Sequence, residues 1–159
     1  MLRRLAAVML VIPLAACTAA APRDLRAPRI GIAALRHGIE QFLAAHPLAA
    51  DAQIRADEVA RTAGASIHVV QVRGRERPHR HVRHDLVVHV LRGRGVLTLD
   101  AERMPMGAGD VAVVPRGVPH WFAADAGSGL AVALVTFAPP LDAPDSIPVP
   151  DVDSREERR

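Results

Sequence analysis

The chain has 159 residues, which fits one domain. Twenty basic residues against 17 acidic ones give a formal net charge of +3, and lysine, tyrosine and asparagine are absent. That composition excludes a lysine Schiff base, a lysine general base and a tyrosyl acid. It leaves histidine, carboxylates, arginine, hydroxyls and bound metal as the available chemistry.

In chain order, Met1–Ala16 opens with Arg3 and Arg4, runs apolar from Leu5 to Leu14 and ends in small residues before Cys17. This is the layout of a secretory leader. The run is too short to span a hydrocarbon core, which needs roughly twenty residues. Leu14-Ala15-Ala16-Cys17 resembles the bacterial lipoprotein cleavage box, which implies removal of residues 1–16 and acylation of Cys17, the sole cysteine. Two or more acyl chains anchor a protein stably. Thr18 follows Cys17, where an Asp often marks inner-membrane retention, so the resemblance favours the outer membrane, facing the periplasm. Without Arg3 and Arg4 the charge is nearly balanced, so neither nucleic acid nor an anionic lipid surface is an expected partner.

Residues 17–28, rich in Ala, Pro and Arg, read as a flexible tether. Ile32, Leu35, Ile39, Phe42 and Leu43 predict an amphipathic helix over Ile32–Ala45, ended by His46-Pro47. Short strand-like runs then follow: Gln53–Ala60, Ser66–Val72, Asp85–Leu91, Val96–Leu99, Val111–Val114, His120–Ala123 and Leu130–Phe137, separated by glycine turns. Many short strands at regular spacing predict a sandwich or barrel, here over residues 29–140 with the helix as an N-terminal extension. Residues 141–159, rich in Pro and Asp, have too few apolar side chains to offset their ordering entropy and read as a disordered tail.

Two segments carry chemistry. In Pro78-His79-Arg80-His81-Val82-Arg83-His84-Asp85, His79 and His81 stand two apart, so in a strand both project from one face and can meet one ion. Asp85 offers a hard oxygen ligand nearby. In Gly109–Trp121, an apolar strand runs into Pro115-Arg116-Gly117, a turn that delivers His120 to the next strand.

Together these segments resemble the paired motifs of the cupin superfamily, G-x5-H-x-H-x3,4-E-x6-G and G-x5-P-x-G-x2-H-x3-N. Gly109, Pro115, Gly117 and His120 match the second, with Ala124 in place of its closing Asn. His79, His81 and Gly93 match the first, with Gly74 one residue too close to be its opening Gly. The resemblance spans about Ser66 to Phe137. It implies an all-β jelly-roll barrel (a double-stranded β-helix) with both motifs facing inward and His79, His81 and His120 as metal ligands. The carboxylate position departs from the pattern. Counted from His81 it falls on Asp85, and counted from Gly93 it falls on Leu86. A β-bulge would reconcile the two by turning Asp85 inward. Asp85 is then the fourth ligand, or else it orients a histidine, or serves as a base, beside a site of three histidines and water.

His89, inside the apolar run Leu86–Leu91, is a candidate cavity residue, as is Trp121. His68 reads as a strand surface residue and His84 as a solvated turn, although His84 could replace Asp85. Arg73, Arg75, Arg77, Arg80, Arg83, Arg92, Arg94 and Arg116 read as solvated faces or as a ring that attracts an anionic ligand. Two functions fit. One is a metalloenzyme, dioxygenase- or isomerase-like, acting on a small organic molecule through one divalent iron, manganese, zinc, nickel or copper ion. The other is a non-catalytic module that binds a metal or small ligand at a membrane surface. A homodimer is what the resemblance implies.

Overall fold

Residues 38–151 are described by a computed structural model. The leader, Cys17, the tether and positions 32–37 of the expected helix lie outside the described residues. Helix α1 (Ile39–Ala45) is followed by β1 (Ile54–Arg61), β2 (Ser66–Val72), β3 (His79–His81), β4 (Asp85–Arg92) and β5 (Arg94–Leu99). The rest are β6 (Glu102–Gly107), β7 (Val111–Val114), β8 (His120–Ala124), β9 (Ala131–Ala138) and β10 (Ser146–Pro148). They form two five-stranded antiparallel sheets in the orders β1-β2-β9-β4-β7 and β10-β3-β8-β5-β6. This is the expected all-β jelly roll.

Two clusters hold it together. Leu86, Val90, Val135 and Phe137 of the first sheet meet Leu97 of β5 and Met106 of β6 between the sheets. On the outer face of the first sheet, Ile39 and Leu43 of α1 cover Val59, Val69, Leu91 and Val132. Each such buried aliphatic side chain contributes roughly 1.5–3 kcal/mol. The Gln71 amide, fully buried in β2, donates to the His46 carbonyl at 2.7 Å and fixes the end of the helix to the sheet.

Strand β4 carries the expected bulge, but at its far end. Its register against β9 shifts between Val90 and Arg92, so Val90 stays between the sheets while Leu91 joins the cluster under α1. Upstream of the shift, Leu86, Val88 and Val90 face inward. Asp85, Val87 and His89 therefore face outward, because alternate residues of a strand project to opposite sides.

Two strands escape a periodicity reading. Pro105 interrupts β6, which is tolerated because β6 is the edge of its sheet. The expected disordered tail is also corrected. From residue 141 the chain returns across the second sheet, and β10 pairs with β3, setting Ser146 opposite His81 and Pro148 opposite His79. Residues 152–159 lie outside the described residues.

Candidate metal centre and cavity

His79 and His81 occupy the two ends of β3, and His120 opens β8 directly opposite His79. The turn that delivers His120 is tied to the site from both sides. Gly117, at φ 81°, takes the left-handed conformation that glycine adopts without steric cost, and its N–H donates to the His81 carbonyl at 2.6 Å. The ring centroids lie 4.4 Å (His79–His120), 5.1 Å (His79–His81) and 5.4 Å (His81–His120) apart. One nitrogen from each ring falls within 4.8 Å of the other two.

The hydrogen bonds of these rings select their tautomers. His79 Nδ1 lies 2.9 Å from the Arg77 carbonyl, His120 Nδ1 lies 3.0 Å from the Val118 carbonyl, and His81 Nδ1 lies 2.7 Å from Asp145 Oδ1. A carbonyl oxygen or an ionised carboxylate can only accept, so each Nδ1 carries the proton and donates it. Each Nε2 then keeps its lone pair for a ligand. Three imidazoles with matched Nδ1 acceptors fit a first-row divalent ion, and those acceptors are the kind that metal-bound histidines use.

Electrostatics favour the neutral form of His81 and His120. Burial pulls the His120 imidazole down to about 4, with His79 and His81 adding to the shift against the Val118 carbonyl. His81 is also lowered, by burial first and by its histidine neighbours, although Asp145 opposes this. Burial works to raise the Asp145 carboxyl, but the hydrogen bonds from His81, the Arg83 amide and His84 outweigh it and hold the group well below the carboxylate range.

Asp85 is not part of this cluster. Its carboxylate accepts from the Arg116 backbone N–H at 2.9 Å and from the Arg116 guanidinium at 2.6 and 3.2 Å, which lowers the group to about 2. It clamps the outside of the Pro115–Gly117 turn, so the expected ligand, or base, is a turn fastener instead. His89 is exposed on the outer face of β4 and does not line the cavity. Trp121 is buried at 2% exposure beneath the Arg75 guanidinium and points away from the cavity, while its neighbour Phe122 lines it.

His68 and His84 are both buried, contrary to their surface readings. His68 packs edge-on to Phe137 and bonds Ser66 Oγ at 2.9 Å, and His84 bonds Asp145 Oδ2 at 2.6 Å. The arginines form no ring. Arg73, Arg92, Arg94 and Arg116 each engage a local partner, and only Arg75 and Arg77 reach the cavity wall.

The histidines open onto a cavity of about 730 Å³. Its wall is mainly apolar, with Val70, Leu86, Val88, Leu97, Phe122 and Val135 among its residues. Glu76 also lines it. Oε2 accepts the Phe122 N–H at 2.9 Å, and among the described residues no side chain bonds the carboxyl. Burial pushes this carboxyl up, against the pull of the Phe122 N–H and of His79. Neither Glu76 nor Asp145 belongs to a motif. The one cue to Glu76 is that it is the lone acid in the arginine-rich run 73–83.

The fold and site define a jelly-roll barrel with three convergent imidazoles on the wall of an apolar cavity. The cupin domain family model matches residues 66–137. An uncharacterized protein of Aquifex aeolicus is 38% identical over 88 residues, which is 55% of this chain and 71% of that protein. The chain belongs to the cupin superfamily. KdgF from Halomonas sp. superposes with a TM-score of 0.54 at 27% identity, covering 60% of this chain and 86% of that one. Pac13 of Streptomyces, a nucleoside dehydratase, superposes at 0.53 and 24% identity, covering 65% and 84%. A double-stranded β-helix protein of Klebsiella pneumoniae gives 0.57 at 15% identity, covering 69% and 95%. The last two likenesses speak to the fold alone.

Proposed function

We propose that the protein is an exported, lipid-anchored metalloenzyme that holds one divalent transition metal on His79, His81 and His120 and acts on a small, largely apolar organic molecule. The observation that carries this reading is the convergence of three imidazole nitrogens, one from each histidine, on the wall of a cavity of about 730 Å³. A purely structural metal site is closed by its ligands, whereas a catalytic one keeps an open position beside space for substrate. When bound, the ion would supply Lewis acidity toward a substrate oxygen, or activation of dioxygen.

The chain's own residues do the rest. Leu86, Val88, Phe122 and Val135 bind the apolar body of the substrate and exclude water. Glu76 holds or moves the proton, since its raised carboxyl exchanges one closer to neutral pH than an exposed glutamate does. That favours isomerase-like proton transfer over a site with no acid or base of its own. Arg77 supplies positive charge at the wall. The layout of Met1–Cys17 supports export and an anchor facing the periplasm. Exposed Val87, Val111 and Val113 on the outer face of β4 and β7 support a homodimer.

Cobalt(II) loaded into the full-length protein tests the reading, because its visible spectrum responds to a change of ligand. Apolar carbonyl and carboxylic compounds that bind the cavity should shift that spectrum, and one of them should be recovered chemically altered. Glu76→Gln should keep the spectral shift and slow conversion about a hundredfold or more. Compounds recovered unchanged would identify a binding module. Compounds that fill the cavity without moving the spectrum would sever metal from cavity.

A further inference from the structure

The returning segment 140–148 forms one wall of the cavity through Leu141, Pro144, Asp145, Ser146 and Pro148. Its final strand, β10, is exposed at all three residues and so gains little from apolar burial. Polar contacts hold it instead. The Leu141 N–H donates to Ser66 Oγ at 2.9 Å, Arg61 donates to the Leu141 carbonyl at 2.8 Å, and the Val149 N–H donates to the Pro78 carbonyl at 3.0 Å. The centre of this fastening is Asp145, whose side chain is 2% exposed. Its Oδ1 accepts from His81 Nδ1, and its Oδ2 accepts from the Arg83 N–H at 3.0 Å and from His84 Nδ1 at 2.6 Å. His84 also reaches the start of the strap, its Nε2 lying 3.2 Å from the Pro140 carbonyl.

We propose that segment 140–148 is a strap whose closure over the cavity is coupled to metal binding through Asp145, which acts as a positioning residue for His81. The proposal rests on the metal-centre reading above. If His81 held an ion, its ring would lose electron density and its Nδ1–H would become a stronger donor to Asp145. The carboxylate in turn makes the imidazole a stronger ligand and fixes its orientation. Binding free energies are reciprocal, so a metal that tightens the strap must itself be bound more tightly when the strap is closed. The same carboxylate fastens the wall and orients a ligand, so a loaded site and a closed wall stand or fall together.

Hydrogen exchange and zinc titration of the full-length protein test this. Zinc should slow exchange of the Arg83, Leu141 and Val149 amides at least about tenfold, because their opening is linked to loss of the metal. Asp145→Asn should bind zinc about ten- to one-hundredfold more weakly and lose most of that added protection at zinc saturation. His84→Gln removes no proposed ligand and serves as a second variant should Asp145→Asn fold poorly. It should weaken zinc binding in the same direction, with far-UV circular dichroism confirming that the barrel is folded. Two results overturn the coupling alone: zinc bound with native affinity by both variants, or zinc bound by the native protein with no change in strap exchange. A native protein that binds no zinc or other divalent ion would overturn the metal centre along with it.

Discussion

The site is built from three imidazoles whose backing acceptors differ, two of them carbonyls and one a carboxylate, yet whose proton positions agree. For His81 and His120, burial favours the neutral ring that a free Nε2 lone pair requires. His120 titrates at about 4 and His81 is also held below its ordinary value, so both are neutral in the folded, metal-free protein near pH 7. The sign follows from linkage. A histidine whose folded value is depressed binds fewer protons than it does in the unfolded chain, so its contribution is complete above about 6.5 and is lost as pH falls toward 4. Metal-free protein should therefore lose stability to urea as pH falls from 7.5 to 4.5, by up to about 1.4 kcal/mol per unit for each such histidine. A midpoint that stays flat across that range would contradict the neutral, buried rings. Asp85 acts differently. Its pair with Arg116 is about half exposed, so water screens much of the attraction and the pair adds little to stability.

At the level of elements, the pattern of the chain foretold β2 and β7 to the residue and most other strands to within a residue or two. A period of two with glycine boundaries is a local signal, and it sufficed there. Three features depended on information that is not local. The β4 bulge was expected near Asp85, but the strand's pairing with β9 shifts beyond Val90, and only the partner strand decides that. With the shift beyond Val90, Asp85 keeps the parity of Val87 and His89 and faces outward with them. Pro105 hid β6, since a proline argues against a strand unless the strand is known to be an edge. β10 was hidden because its residues are polar or exposed and its stability comes from β3, more than sixty residues away. The histidines of the site were legible because their spacing is short, and His120 because a Pro-x-Gly turn announces it. Asp145 and Glu76 were not, because each reaches the site through tertiary contact alone.

At the scale of the whole molecule, the barrel joins an apolar cavity to a polar cluster. The leader preceding it places that pair, by our proposal, at a membrane surface. Cys17→Ser should release the protein from membranes or leave the leader uncleaved, as fractionation and intact mass would show. Unchanged, salt-resistant membrane association would contradict the anchor. The central claim, a metal held by His79, His81 and His120 without Asp85, is tested most directly by elemental analysis of the full-length protein purified without chelator or histidine tag. About one equivalent of a divalent transition metal is expected in the native protein and in Asp85→Asn, with nearly complete loss in His79→Ala and His120→Ala. A full equivalent retained by either histidine variant, or lost from Asp85→Asn while the fold persists, would contradict it.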